Sequence, residues 1–319
     1  MPNFLRHYPF FLLPLLRKIK SNGFFGWLWA SHFCRSYAAC AEQIMKTNKT
    51  MSKKVLFITQ EMVPYVSERT ISIDGRKLPQ ALQEQGCEIR TFMPRWGTIN
   101  ERRNQLHEVI RLSGMNIIID DTDHPLIIKV ASIQAARMQV YFIDNDDYFH
   151  KRRMMVDENG TPYPDNIERA IFYARGVLET VKKLRWCPDV IYCQGWVSAI
   201  VPFYIKTAFC EEPAFAHAKV VTSLYNDMPD SSTAERFAEC LQFRSATPEA
   251  AQAAGIELAT PDSLMRLAIT FSDGIIEGEP GAMPEMLELA KAKGIPTLAT
   301  PAPEEQATAY NAFFDSLIG

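Results

Sequence analysis

The chain lacks any run of 18 or so apolar residues, the length that crosses a bilayer. Its two early apolar stretches, Phe10 to Leu16 and Phe24 to Trp29, are far shorter. No membrane span is therefore expected. Arg17, Lys18 and Lys20 directly follow the first stretch, which fits a secretory leader poorly; a peripheral membrane anchor stays open. A basic surplus is also missing. With 34 Lys and Arg against 37 Asp and Glu the net charge is -3, and the isoelectric point is near 6.1, which excludes the usual nucleic-acid binder. Paired cysteines are absent as well. The seven cysteines are odd in number and scattered, with no C-x-x-C spacing, which argues against a zinc ribbon or a redox dithiol. Free thiols in a reducing cytoplasm are the expectation. There is no internal repeat, and only the Ala-rich stretch Ala246 to Ala259 approaches low complexity.

What is present is an ordinary globular composition of 319 residues, 47% apolar and 22% charged, enough for one large domain or two small ones. Met51-Ser52-Lys53-Lys54, directly before the first apolar strand, reads like a native start. Residues 1–50 are then an extension beyond it, poorly packed and dispensable, and residues 51–319 form a single domain.

From Lys53 onward, Val- and Ile-rich runs alternate with amphipathic stretches, the pattern of a parallel sheet covered by helices on both faces. The fold class is doubly wound, Rossmann-like α/β. Strands are expected at 55–59, 88–93, 127–132, 139–143, 190–193, 220–224 and 274–277. Helices are expected at 73–85, 164–185, 196–209, 261–271, 283–293 and 304–317, with a short helix and loop in the Ala-rich stretch. Ile167, Ala170, Ile171, Ala174, Val177, Leu178 and Val181 mark the second helix most clearly, recurring at helical spacing.

In such a sheet ligands gather where strand C-terminal ends face helix N-termini. Four loops meet this condition: 60–75, 194–197, 225–232 and 277–283. Several side chains in them have two readings. Glu61 can bind a ligand hydroxyl or pair with a neighbouring Arg. Trp96, Trp196 and Tyr225 can stack on a ligand ring or serve as packing. Cys193 sits at a strand end with no His near it in sequence, so a buried thiol is the simpler reading. Asp120-Asp121-Thr122-Asp123-His124 can coordinate a metal or form a polar turn; the turn is expected, and with it no metal and no cofactor. The basic run His150 to Arg153 can receive a phosphate or lie solvated in a loop.

The segment Lys53 to Pro79, KKVLFITQEMVPYVSERTISIDGRKLP, resembles the opening of a glycogen or starch synthase. In that family a strand and Glu-x-x-Pro, here Glu61 to Pro64, lead into a Lys-x-Gly-Gly-Leu loop for the sugar nucleotide. Here the loop reads Ser67-Glu68-Arg69-Thr70-Ile71. Arg90 to Gly97 is similar to the family's Val-x-Pro-x-Tyr-Gly stretch. Asp144 to Phe149 is similar to its acidic turn and aromatic pair before an Arg, here Arg152 or Arg153. Asp165-Asn166-Ile167-Glu168-Arg169-Ala170-Ile171-Phe172 resembles its Asp-Asn-x-x-Arg-Phe helix start. Asp189 to Trp196 stands in the place of the His-Ala-Asn-Asp-Trp-His run, with Trp196 retained and Tyr192, Gly195 and Val197 at the His, Asp and His positions. Val221 to Asn226 resembles the Thr-x-His-Asn strand end, with Tyr225 where His would stand and Asn226 retained.

The resemblance implies the N-terminal half of a GT-B fold and a family reaction of glucose transfer from ADP-glucose to an α-1,4-glucan. It also implies a ligand cleft lined by Glu61, Ser67, Arg69, Arg95, Trp96, Gln194, Trp196, Tyr225 and Asn226. The phosphate loop and the histidines are replaced, and 42 residues follow Glu277 (319 − 277) where the family places a second Rossmann lobe. No residue is assigned a catalytic role. The first expectation is a degenerate member that binds an α-glucan, a sugar or a protein partner. The alternative is an active glucosyltransferase, alone or completed by a separate subunit, to which a sugar nucleotide would bind. A homodimer with a vestigial cleft is the third.

Overall fold

The protein is described by a computed structural model covering residues 52–228 and 236–319. The extension expected at 1–50 and part of the loop expected at 225–232 lie outside the described residues.

In chain order the elements are β1 (Lys54–Thr59), α1 (Thr70–Glu84), β2 (Glu88–Pro94), β3 (His107–Glu108), β4 (Met115–Ile119), β5 (Thr122–Ile133) and β6 (Met138–Asp144). There follow α2 (Asn166–Lys183), β7 (Val190–Gln194), α3 (Val201–Lys206), β8 (Lys219–Leu224), α4 (Phe237–Leu241) and α5 (Pro248–Ala253). The chain closes with α6 (Ser263–Thr270), β9 (Gly274–Glu277), α7 (Pro284–Ala292), β10 (Thr297–Leu298) and α8 (Gln306–Ile318).

The sheet order is β10-β9-β8-β7-β1-β2-β6-β5-β3, with β4 paired to β5. From β10 through β6 every neighbouring pair is parallel. The expectation of a parallel sheet needs correction at one edge, where β5 runs antiparallel to β6, β3 and β4. The turn at Asp120-Asp121 joins β4 to β5 directly, and a connection that short permits only antiparallel pairing. Expected strand and helix positions otherwise agree within a few residues, except for the helix expected over 196–209. It breaks into a 3-10 turn, Trp196–Ser198, and the short α3. Pro202, which has no N–H to give the preceding turn, stands at the start of α3.

β1 is central because the chain order reverses there: β2 and β6 lie on one side, and β7, β8, β9 and β10 on the other. In doubly wound sheets such a switch point, here at the carboxyl ends of β1 and β7, is where ligands gather. Register keeps those ends level, with Thr59 opposite Gln194 and Gln194 opposite Ser223. One face of the sheet carries the larger core, in which α2 buries Ile171, Phe172, Ala174, Val177, Leu178 and Val181 completely. The opposite face is covered by α1 and α8, where Leu78, Leu82, Tyr310 and Phe314 pack on Val55, Phe57, Val190 and Tyr192. Each such fully buried large side chain contributes on the order of 1.5–3 kcal/mol of transfer free energy. Lys53 anchors α8 to the start of β1 through Asn311 Oδ1 at 2.5 Å and an ion pair with Asp315.

Candidate functional site

The cleft floor is built where β1, β7 and β8 end. Thr59 Oγ1 meets Gln194 Oε1 in a short hydrogen bond and approaches the Glu61 carbonyl at 3.1 Å. The Gln60 amide donates to Gln194 O at 3.0 Å, continuing the ladder past the strands. α1 sits directly on this edge because its second turn carries Gly75. A methyl there would press into the Glu61 carbonyl and lie 3.1 Å from Thr59 Oγ1 and 3.2 Å from Gln194 Oε1.

Beneath the edge, three buried polar side chains form a chain of hydrogen bonds. Gln194 Nε2 donates to Tyr225 Oη at 3.0 Å, and Tyr225 Oη donates to Asp74 Oδ2 at 3.0 Å. Gln194 also donates to the Ile71 carbonyl at 3.3 Å. Burial pushes the Asp74 carboxyl up, against the opposing hydrogen bonds from Tyr225 and Gln306. Burial also drives the Tyr225 hydroxyl far above its ordinary range. Cys193 is wholly buried and its thiol is raised by that burial alone, so no thiolate forms there to act as a nucleophile.

A second group lies at the β1 tip. Glu61 is 1% exposed, and Arg69 NH1 stands 3.2 Å from its Oε1, beyond hydrogen-bonding geometry. Burial raises Glu61, with Arg69 opposing. Asp227, just past the end of β8, is 5% exposed, and among the described residues neither carboxyl oxygen has a hydrogen-bond partner of full geometry. Desolvation pushes its pKa up to about 7, with Gln60 and Arg69 opposing and Glu61 and Glu279 adding to the rise. Gln60 Oε1 is likewise buried without a partner, while its Nε2 lies 3.2 Å from Met154 Sδ. Gly195, at φ +84°, has to be glycine here, since a Cβ would fall 2.5 Å from Gln60 Oε1.

The segment in place of a phosphate loop bonds to itself. Ser72 Oγ accepts from the Arg69 amide at 2.8 Å and donates to Ser67 O at 2.9 Å, closing the first turn of α1. Ser67 and Arg69 are exposed beside it.

The other expected site residues spread around this centre. Trp96 and Trp196 are completely buried, with no ring face at the surface. Trp96 Nε1 donates to Gln60 O at 2.8 Å, and Trp196 Nε1 has no partner. Arg95 belongs to an ion network with Glu101, Asp144 and Lys129 on the β2–β6 side. Asn226 is exposed and joins β8 to the start of α7, its backbone N–H donating to Glu279 Oε1 at 2.8 Å and its side-chain Oδ1 accepting from Met283 N at 3.2 Å. Gln60, Asp74 and Asp227 lie in the loops the sequence marked but were not singled out there, and Arg169 was read only as part of the Asp-Asn-x-x-Arg-Phe helix start, with no site role. Arg169 is fully buried and donates to the carbonyls of Tyr148, Arg153 and Met154 at 2.7–2.9 Å. It thereby fixes the loop that brings Met154 to Gln60. The Asn166-x-x-Arg169 spacing was the available signal, since Asn166 Oδ1 accepts from Arg169 at 2.8 Å.

Asp120 and Asp121 form a turn, and His124 lies buried between Asp147 Oδ2 at 3.3 Å and Tyr148 Oη at 2.9 Å. Among the described residues no three His, Cys, Asp or Glu side chains are grouped to hold a metal, and no helix is long and apolar enough to cross a membrane.

Comparison with known proteins places this arrangement. The glycogen synthases of Chlorobium limicola and Chlorobaculum tepidum are each 36% identical to the chain over 174 residues. That segment is 54% of this chain and 36% of theirs, so the chain matches little more than a third of the length of these relatives. The catalytic domain of starch synthase IV from Arabidopsis thaliana, solved bound to ADP and acarbose, superposes with a TM-score of 0.57 at 16% identity. The superposition covers 78% of this chain and 51% of that one, and carries the fold alone: the sheet is the expected Rossmann-like lobe of a GT-B protein. A family model described as the starch synthase catalytic domain matches residues 54–298, from the first strand of the sheet to the last, and the chain belongs to that family.

Proposed function

We propose that this chain is a glycogen and starch synthase-like domain that binds an α-glucan or sugar in the strand-end cleft without itself transferring glucose from ADP-glucose. One observation carries this reading: Ser72 takes the Arg69 amide at the start of α1, and the Arg69 guanidinium, the cation beside it, faces the buried Glu61 carboxylate. A diphosphate leaving group needs free N–H donors and uncommitted positive charge where charge develops. At these strand ends Glu61, Asp227, Glu277 and Glu279 stand against Arg69.

Carboxylates and amides at a strand-end crevice suit neutral hydroxyl-rich ligands, since each accepts hydrogen bonds without needing a counter-charge. The cleft residues Glu61, Gln194 and Tyr225 thus act by positioning, and the chain works as a binding domain in the cytoplasm, for a glucan or for a partner transferase. Calorimetric titration with maltooligosaccharides, run beside radiolabelled glucose transfer from ADP-glucose on the same sample, tests it. Binding without transfer is expected; glucan extension by the pure protein overturns it.

A second reading, an active enzyme completed by a separate subunit, is favoured by the 36% identity to glycogen synthases. It predicts that adding a protein carrying the remaining lobe restores transfer.

A further inference from the structure

Asp227 has no structural reason to be an acid. Among the described residues neither of its oxygens has a hydrogen-bond partner of full geometry at 5% exposure, and only the Gln60 side chain and the Arg69 charge ease its burial; an under-satisfied buried carboxyl group costs stability. Its surroundings hold a further acceptor without a partner among the described residues, Gln60 Oε1, and Glu61 Oε1, which has only the Arg69 guanidinium at 3.2 Å, on residues 0% and 1% exposed. Gly195 lets the Gln60 side chain pack directly against its backbone, where a Cβ would fall 2.5 Å from Gln60 Oε1. A set of acceptors kept dry and unsatisfied at a topological switch point is built to be completed by donors from outside the chain.

Resting on the carbohydrate-binding reading above, we propose that Asp227 is the specificity-determining residue of the cleft. With Gln60 and Glu61 it accepts hydrogen bonds from hydroxyls of a neutral saccharide, and the same acidic set excludes nucleotide diphosphates. The donors must come without negative charge, because Glu61 and Glu279 already face Asp227 and Arg69 is the cation that offsets them. A hydroxyl pair meets this requirement, whereas a diphosphate brings further anions into a carboxylate-lined crevice. Arg69, with a side chain 43% exposed at the lip, is the group that swings off Glu61 to admit the ligand.

The test combines affinity with stability. Wild-type protein and the variants Asp227→Asn and Asp227→Leu are titrated with maltotetraose, ADP and magnesium ion, and their melting temperatures are measured without ligand. Maltotetraose is expected to bind the wild type and ADP and magnesium are not. Asp227→Leu is expected to bind at least about tenfold more weakly, the worth of one charge-assisted hydrogen bond. Both variants are expected to melt higher than the wild type at pH 8, as removal of an orphaned buried carboxylate predicts. Unchanged saccharide affinity in Asp227→Leu overturns the role of Asp227 while leaving the carbohydrate reading intact. Wild-type binding of ADP or magnesium as tight as that of maltotetraose overturns the specificity. A lower melting temperature in both variants overturns it too, because Asp227 would then be structural. No saccharide binding by the wild type overturns the carbohydrate reading itself.

Discussion

Tyr225 gives its hydroxyl proton to Asp74 Oδ2 at 3.0 Å across 151 positions of sequence, joining the end of β8 to the first helix. Both groups are buried, so neither finds water if the other is removed. Tyr225→Phe leaves a carboxylate and the Gln194 amide without their shared partner, a loss of about 1–3 kcal/mol. The sign with pH follows from Asp74, whose pKa burial raises and the Tyr225 hydrogen bond lowers. Without Tyr225 that pKa rises further, so the penalty grows as pH climbs above the ordinary carboxylate range. Urea unfolding at pH 4 and pH 8 checks this, with the larger difference between variant and wild type expected at pH 8.

Asp227 gives the chain its own pH dependence. Its pKa is raised by burial to about 7 from an ordinary value of 3.8. The folded protein therefore holds a proton that the unfolded chain releases between about pH 4 and 7, and stability falls as pH rises through that window. The size is bounded at about 4 kcal/mol by the shift itself. Glu61, also raised by burial, acts in the same direction. Melting curves of Asp227→Asn across pH 4–8 are expected to be flatter than those of the wild type and to lie above them at pH 8. Parallel curves would mean that Asp227 is charged and solvated in the folded state.

Gly75 tests how closely α1 must lie on the strand ends. Helix propensity alone favours Ala over Gly by about 1 kcal/mol. The added methyl, however, presses into the Glu61 carbonyl, which is backbone and cannot rotate away. Overpacking of this kind costs about 1–3 kcal/mol, so Gly75→Ala is expected to be destabilising on balance. Chemical denaturation decides between the two terms; a more stable variant would mean that α1 rides higher than its contacts with Thr59 and Gln194 require.

Much of this was legible in the sequence where one element decides the outcome. The Val- and Ile-rich runs became β1, β7 and β8 because a strand buried on both faces needs a continuous apolar stretch. Glu61, Gln194 and Tyr225 lie at one level of the sheet because all three stand at or just past the carboxyl ends of parallel strands. The antiparallel edge was missed because β4 and β5 alternate around a turn of two acids that reads equally as a metal loop. Trp96, Trp196 and Arg95 carry the right chemistry for a sugar, yet packing and a four-charge network claim them, and neither is visible without tertiary neighbours. Asp227 and Gln60 were unreadable for the same reason: an acid after a strand looks solvated until the chain folds Gln60 and Glu61 over it.

Arg169 shows how far a positioning residue can act from the cleft. Its fully buried guanidinium donates to three backbone carbonyls of the loop from Tyr148 to Met154 and stacks 5.1 Å from the Trp96 ring. Burial lowers its pKa to about 9, with Arg152 adding to the fall and Asp165 opposing, so it remains a cation at neutral pH without a carboxylate of its own in hydrogen-bond contact. Arg169→Met takes the donor from one buried and two part-buried carbonyls at once, at about 1–3 kcal/mol where water cannot enter. Arg169→Lys keeps the charge but loses the fork that reaches several carbonyls together. Both variants are therefore expected to lose several kcal/mol in urea unfolding, Met more than Lys, and to show faster amide exchange in the 148–155 loop. The effect should extend to Gln60, which Met154 and Trp96 hold in place, so a variant that still folds is expected to bind saccharide more weakly than the wild type. Unchanged exchange in that loop would mean that the segment holds its shape through its own turns and that Arg169 only follows it.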